Sequence, residues 1–121
     1  MANFRQHTSK QETFFLAGRN SETNELLIKQ VEKNEDVLHT KASGSPFVNI
    51  KGKTRKGDLK EAAIFCAYYS QDWKKNKKDV IVHVFKGKDI FKDKIMRQGT
   101  FGIKKFKEIK VKKEEIEEFN K

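Results

Sequence analysis

Two short stretches carry side chains suited to gripping an anion or a hydroxyl. Arg19 and Asn20 stand where a strand is expected to hand over to a helix, so a guanidinium and the first helical N–H groups would face one ligand, a corner suited to phosphate. On these residues alone the simpler explanation is preferred: Asn20 caps the helix and Arg19 pairs with a nearby Glu. Further on, His39 and Lys41 lie two residues apart at the end of an expected strand, hence on one face. Ser43-Gly44-Ser45 follows, two hydroxyls around a residue whose backbone can be approached closely. Four polar groups within seven residues are expected to grip phosphate or a 2′-hydroxyl, against the plainer alternative of a hydrogen-bonded structural His39 and a turn at Gly44.

Other chemistries find less support. Ser43 or Ser45 with His39 imitates a nucleophile and its base, but no Gly-x-Ser-x-Gly elbow or obvious orienting carboxylate accompanies them. Cys66 falls on the expected buried face of a helix and has no neighbouring His. His7, His39, His83 and Cys66 are dispersed without ligand spacing, and no Gly-rich phosphate loop of a nucleotide enzyme occurs. No enzyme, metal or cofactor is therefore expected.

The elements that would position these residues follow from periodicity and punctuation. Residues 13–17 form a strand ended by Gly18, and a helix capped by Asn20 or Ser21 runs to about Lys33-Asn34 with Leu27 and Val31 on its apolar stripe. Two strands over 36–40 and 47–51 flank the loop 42–46, and 52–57 is a basic loop. A second helix has Asp58 as its cap with Glu61 three residues on, and an apolar face of Leu59, Ala62, Ala63, Cys66, Tyr69 and Trp73 that packs on a sheet. The nearly continuous apolar run 79–85 is a central strand. Strands over 99–103 and 106–111 pair as a hairpin through Lys104-Lys105, and an acidic, helix-prone tail begins at Lys112. Most aromatic residues must be core, with Tyr68 the best candidate for exposure because it falls off the stripe.

Charge points to the partner. The 121 residues include 27 Lys and Arg against 17 Asp and Glu, a net charge of +10 that favours polyanions. Lys51, Lys53, Arg55, Lys56 and Lys60 oppose Asp58 alone over 51–60, and six lysines oppose Glu108 alone over 104–113. The predominance of lysine over arginine suits phosphate contact better than base reading. No apolar run approaches the roughly 18 residues of a membrane span. The start Met1-Ala2-Asn3-Phe4 lacks signal-peptide regions, and the single cysteine agrees with a reducing compartment, so a cytoplasmic protein is expected.

The segment Gly18-Arg19-Asn20-Ser21-Glu22-Thr23-Asn24-Glu25-Leu26-Leu27 resembles the opening signature of the NFACT-R domain, the RNA-binding part of the quality-control factors that work on stalled large ribosomal subunits. The likeness continues in order through Asp36-Val37-Leu38-His39 with Gly44-Ser45, Lys60-Glu61-Ala62-Ala63, Ala67-Tyr68-Tyr69-Ser70, Trp73-Lys74 and Gly99-Thr100-Phe101, over residues 14–106. Departures are Pro46-Phe47 after Gly44-Ser45, as in stand-alone members, Leu38 before the His, and Phe85-Lys86-Gly87-Lys88 where the family has Lys-Pro. The N-terminal domain and coiled-coil insertion of the large factors have no counterpart, so their recruiting and tailing activities are not implied.

The resemblance implies an α+β domain that contacts RNA, tRNA or rRNA. With the elements above, this is one domain over 1–121, its core about 13–111 and its acidic tail 112–121. It holds a small mixed or antiparallel β-sheet with two main helices packed on it and a short C-terminal helix. Its expected RNA contacts are Arg19, Asn20, His39, Lys41, Ser43, Gly44 and Ser45, joined by Lys53 and Arg55 of the first basic run and Lys104 and Lys105 of the second. The large ribosomal subunit is a further expected partner, and a monomer is favoured. The competing functions are a protein-interaction adapter docking on the ribosome and an accessory subunit of an RNA-modifying enzyme; membrane-surface binding ranks last.

Overall fold

The computed structural model describes residues 3–119, so Met1, Ala2 and the last two residues of the acidic tail lie outside the described part. In chain order the elements are β1 (Arg5–Thr8), β2 (Phe14–Ala17), α1 (Ser21–Lys29), β3 (Asp36–Thr40), β4 (Val48–Ile50), α2 (Asp58–Tyr68), α3 (Gln71–Asn76), β5 (Val80–Lys86), β6 (Ile90–Phe91), β7 (Gly102–Ile103), β8 (Lys107–Val111) and α4 (Lys113–Glu118). Six strands form one sheet in the order β1-β2-β4-β3-β5-β8, each neighbouring pair antiparallel, and β6 with β7 makes a separate antiparallel ribbon. The fold is α+β.

The two-residue period of the strands divides their side chains between two cores. Phe15, Leu38, Val48, Ile50, Val80 and Val82 face α2, where Ala62, Ala63, Phe65 and Cys66 meet them with Trp73 of α3 and Ile116 of α4. Burying each large apolar side chain contributes roughly 1.5–3 kcal/mol. On the other face Val37, Phe47 and Phe85 meet Leu27 of α1, with Ile90 and Ile103 of the β6–β7 ribbon alongside. β5 is interior, between β3 and β8, with Val80, Val82 and Val84 on one face and Ile81, His83 and Phe85 on the other.

Several boundaries depart from the sequence reading. α1 ends at Lys29 rather than near Asn34 because Glu35 gathers the turn that follows: its carboxylate accepts the N–H of Glu32 at 3.0 Å, the N–H of Gly52 at 2.7 Å and the Lys51 ammonium at 2.8 Å. Asp58 is the first residue of α2 and not its cap; that place is held by left-handed Gly57, and the Asp58 carboxylate accepts the Arg55 N–H at 2.7 Å. Glu61 reaches away to His7 Nε2 at 2.7 Å and the Lys10 N–H, tying β1 to α2. The long second helix is broken at Ser70, whose hydroxyl donates to Ala67 O and accepts the Trp73 N–H, so that α3 starts as a separate helix.

The expected hairpin of 99–103 with 106–111 is also overturned. β7 pairs with β6, and Phe91 lies over Gly102, where a Cβ would come within 2.0 Å of the ring. β8 instead takes the open edge of β5, which sets Ile109 and Val111 opposite Val82 and Val80 in the α2 core. Leu59, expected on the apolar face, is exposed, while Tyr68 is half-buried against Tyr69 and Phe119. β1 was not anticipated at all: its Arg-Gln-His-Thr sequence carries no apolar residue, and pairing with β2 alone makes it a strand. Among the described residues no helix is long and apolar enough to cross a membrane.

Asn24 anchors α1 to this frame. Its side-chain oxygen accepts the buried Phe47 N–H at 3.1 Å and fills the space beside Gly18, where a Cβ would come within 2.0 Å. Asn24→Ala leaves that N–H without a partner and is expected to lower stability by about 1–3 kcal/mol, read from urea unfolding; an unchanged midpoint would remove this anchor.

Candidate nucleic-acid interface

The β2–α1 junction, the β3–β4 loop and the segment before β7 converge on one groove of about 500 Å³ beside the sheet. Asn20 caps α1: its side chain accepts the Thr23 N–H at 2.9 Å, and the Thr23 hydroxyl accepts the Asn20 N–H at 2.9 Å and the Arg19 N–H at 2.7 Å. Asn20 thus does the capping job of the simpler explanation. Arg19, however, forms no ion pair with a Glu among the described residues; its Nε donates to Asn3 O at 2.9 Å and the residue lines the groove.

The opposite wall is the loop 41–47. Gly44, at φ +88°, accepts the Gln71 N–H on its carbonyl at 2.8 Å, and a side chain in its place would meet Gln71 at 2.9 Å, so the loop lies against the start of α3. Ser45 is committed to the backbone, since its hydroxyl accepts the Thr40 N–H and donates to Pro46 O at 3.0 Å. It lies 3.9 Å from the Cys66 sulfur, and burial pushes that thiol up to about 12. Neither group is arranged as an activated nucleophile.

His39 supplies part of the floor. Its Nδ1 lies 2.8 Å from Thr40 O, so this nitrogen carries the proton and donates. Burial pushes the ring's pKa below the usual histidine value; the Thr40 bond pulls the other way, and neighbouring His83 lowers it further. A neutral ring with Nδ1–H engaged leaves Nε2 as an acceptor, which suits a hydroxyl or amino donor rather than a phosphate oxygen. The Phe47 ring packs beside His39, tilted by 40° with centroids 4.4 Å apart, and His83 is the cross-strand partner of His39.

Arg19, Asn20, His39, Ser43, Gly44 and Ser45 all line this one groove, though they span 27 positions of sequence. Lys41 stands beside it: its ammonium is 4.0 Å from Glu108, which also takes His83 Nε2 at 3.0 Å. Lys53 and Arg55 are elsewhere. Lys53 borders a depression shared with Glu32, Glu35 and Asp36, and Arg55 donates to Gln11 O at 3.2 Å. Lys104 and Lys105 occupy the β7–β8 connection outside the groove, with the Lys104 N–H on Asp89 O.

Sequence reasoning missed Arg5, whose guanidinium lies 4.2 Å over the Tyr69 ring, and Lys74 of α3. With Arg19 they give the groove three permanent cations, and among the described residues no Asp or Glu lines it. The signal for Lys74 was its lysine run, but only the Gly44–Gln71 bond brings that run to the site. Arg5 gave no signal because its strand gave none.

The third wall, residues 98–101, is held by Glu25 of α1. Its carboxylate accepts the Gly99 N–H at 2.6 Å and the Lys92 ammonium at 3.2 Å. Lys92 also donates to Thr100 O and lies over the Phe101 ring. Burial alone would raise the Glu25 pKa, but these donors outweigh it and hold the carboxyl ionised.

The chain is an α+β module whose cationic and polar groove, free of carboxylates among the described residues, is suited to a polyanion. The chain belongs to the NFACT RNA-binding family: the model of the NFACT protein RNA binding domain matches residues 2–105. It is 36% identical over 63 residues to the archaeal Rqc2 homolog aRqcH of Methanocaldococcus jannaschii, a match covering 49% of this chain and 9% of that protein. The C-terminal part of the fibronectin/fibrinogen-binding protein from Streptococcus suis has the same fold, with a TM-score of 0.81 and 22% identity over 97% of this chain and 48% of that one. The chain thus spans a small fraction of the curated relative and about half of the solved one.

Two outcomes test this geometry. Glu25→Gln weakens the hold on residues 98–101, and the Gly99 amide is expected to exchange with solvent faster while α2 amides do not; equal protection would dismiss the clasp. Because the folded His39 pKa lies below the 6.5 of an unfolded chain, the unfolded state takes up the proton first, and stability falls as the pH drops through 6.5. In thermal melts above and below that pH, His39→Gln should lose less than the wild-type protein.

Proposed function

We propose that this chain is a non-catalytic module that binds structured RNA, tRNA or rRNA, in the groove between α1, the β3–β4 loop and α3, mainly through backbone and shape. It works in the cytoplasm in translation or ribosome-associated quality control. The observation that carries this reading is the groove's charge: Arg5, Arg19 and Lys74 with no carboxylate in the walls, in a chain of an RNA-binding family. Three fixed cations draw phosphates whatever the sequence, while the His39 acceptor and the Ser43 hydroxyl suit ribose. The relationship to the archaeal Rqc2 homolog supports the place in quality control, with the large ribosomal subunit as the assembly on which the RNA is met.

Fluorescence anisotropy with bulk tRNA, double-stranded DNA and heparin at two salt concentrations tests the reading. The protein is expected to prefer tRNA, with affinity falling steeply as salt rises. Arg19→Ala and Lys74→Ala should each reduce the salt slope by about 1. Equal binding of all three polyanions, unmoved by either substitution, would assign the charge to nonspecific attraction and favour a protein adapter.

A further inference from the structure

Beyond His83 the floor of the groove runs out to the β5–β8 edge of the sheet. There Phe106, just before β8, lays its ring on His83 with centroids 4.1 Å apart and planes 22° apart. His83 lines the groove, and its Nε2 lies 3.0 Å from the Glu108 carboxylate. Phe106 is nonetheless 51% exposed, although most phenylalanines of this chain lie in the two cores. A large ring held flat at the mouth of a polar groove costs solvation and adds little to the core.

The surroundings say what would cover it. Lys41 reaches the same corner through Glu108, the cross-strand neighbour of His83, and Arg5, Arg19 and Lys74 line the groove behind. A flat apolar ring beside a cationic groove complements a flat π-system carried on a polyanionic backbone. Behind it the imidazole floor continues through His39, the cross-strand partner of His83, to Phe47 at 4.4 Å. An unpaired base stacked at the mouth would leave its backbone leading toward Arg19 and Lys74 in the groove.

The geometry points to Phe106 as a stacking platform for one unpaired nucleobase of the bound RNA, with His83 as its support. This rests on the RNA-binding reading and narrows it: the preferred ligand has a single-stranded end or loop next to its structured part. Stacking tolerates any base, so the platform selects for an unpaired nucleotide and not for its identity.

The test compares a blunt RNA duplex with the same duplex bearing a short single-stranded overhang that contains 2-aminopurine, whose fluorescence is quenched on stacking. The wild-type protein should bind the overhang RNA more tightly and quench the probe. Phe106→Ala should abolish the quenching and weaken overhang binding by about 5- to 150-fold, with blunt-duplex affinity and melting temperature unchanged. Phe106→Trp should restore both signals. The platform is overturned if Phe106→Ala weakens both RNAs equally or neither, or if the wild-type protein binds both alike without quenching. If it binds neither RNA, the RNA-binding reading itself fails and this one with it.

Discussion

The carboxamide oxygen of Asn24 accepts the Phe47 N–H in a site closed to solvent, and this bond fixes where α1 lies on the sheet. Gly18 makes it possible, because any side chain there would occupy the space of the Asn24 side chain. The Gly18 N–H in turn donates to Phe47 O at 3.1 Å, so the end of β2, the start of α1 and the entry to β4 are joined by two bonds across one glycine. From that joint Asn20 and Arg19 are aimed at the groove, and Glu25, one residue past Asn24, holds the third wall. A shift of α1 would move all of these together.

Polar groups do most of the positioning, and apolar packing makes the frame on which they act. Glu35 stops α1, Ser70 divides the second helical segment, and Gly44 ties the β3–β4 loop to α3. Each satisfies backbone groups that a regular element would leave unpaired at its end. Because those partners are distant in sequence, the same bonds that end elements also gather residues of the groove. The groove is therefore a by-product of how the chain closes its helix ends, lined with the cations that remain.

Much of this was legible without coordinates. Strands β2 to β5, the Asn20 cap and the buried face of α2 with Ala62, Ala63 and Cys66 follow from period and punctuation, since each depends on residues within one element. What stayed hidden depends on partners elsewhere. β1 has no apolar residue and exists by pairing with β2; Ser70 stands inside an apolar helical pattern and breaks it by capping α3; β7 pairs with β6, where Gly102 makes room for the Phe91 ring. The site shows the same division. Chemistry and spacing mark Arg19, Asn20, His39 and the Ser43–Ser45 loop, which line one groove; Arg5 and Lys74 join them there only through the fold, while Lys53, Arg55, Lys104 and Lys105, marked by charge alone, lie outside it.

The sheet leaves two strands unpaired on their outer sides, β1 and β8. Unpaired strand edges invite another chain to add itself, and a protein concentrated on a common scaffold is most exposed to that risk. Here β1 is four residues long with Arg5 along it, and β8 carries Lys107 and Lys110. Two copies brought edge to edge would have to bury or oppose these cations, so crowding many molecules onto one polymer should leave them separate and soluble rather than seed fibrils.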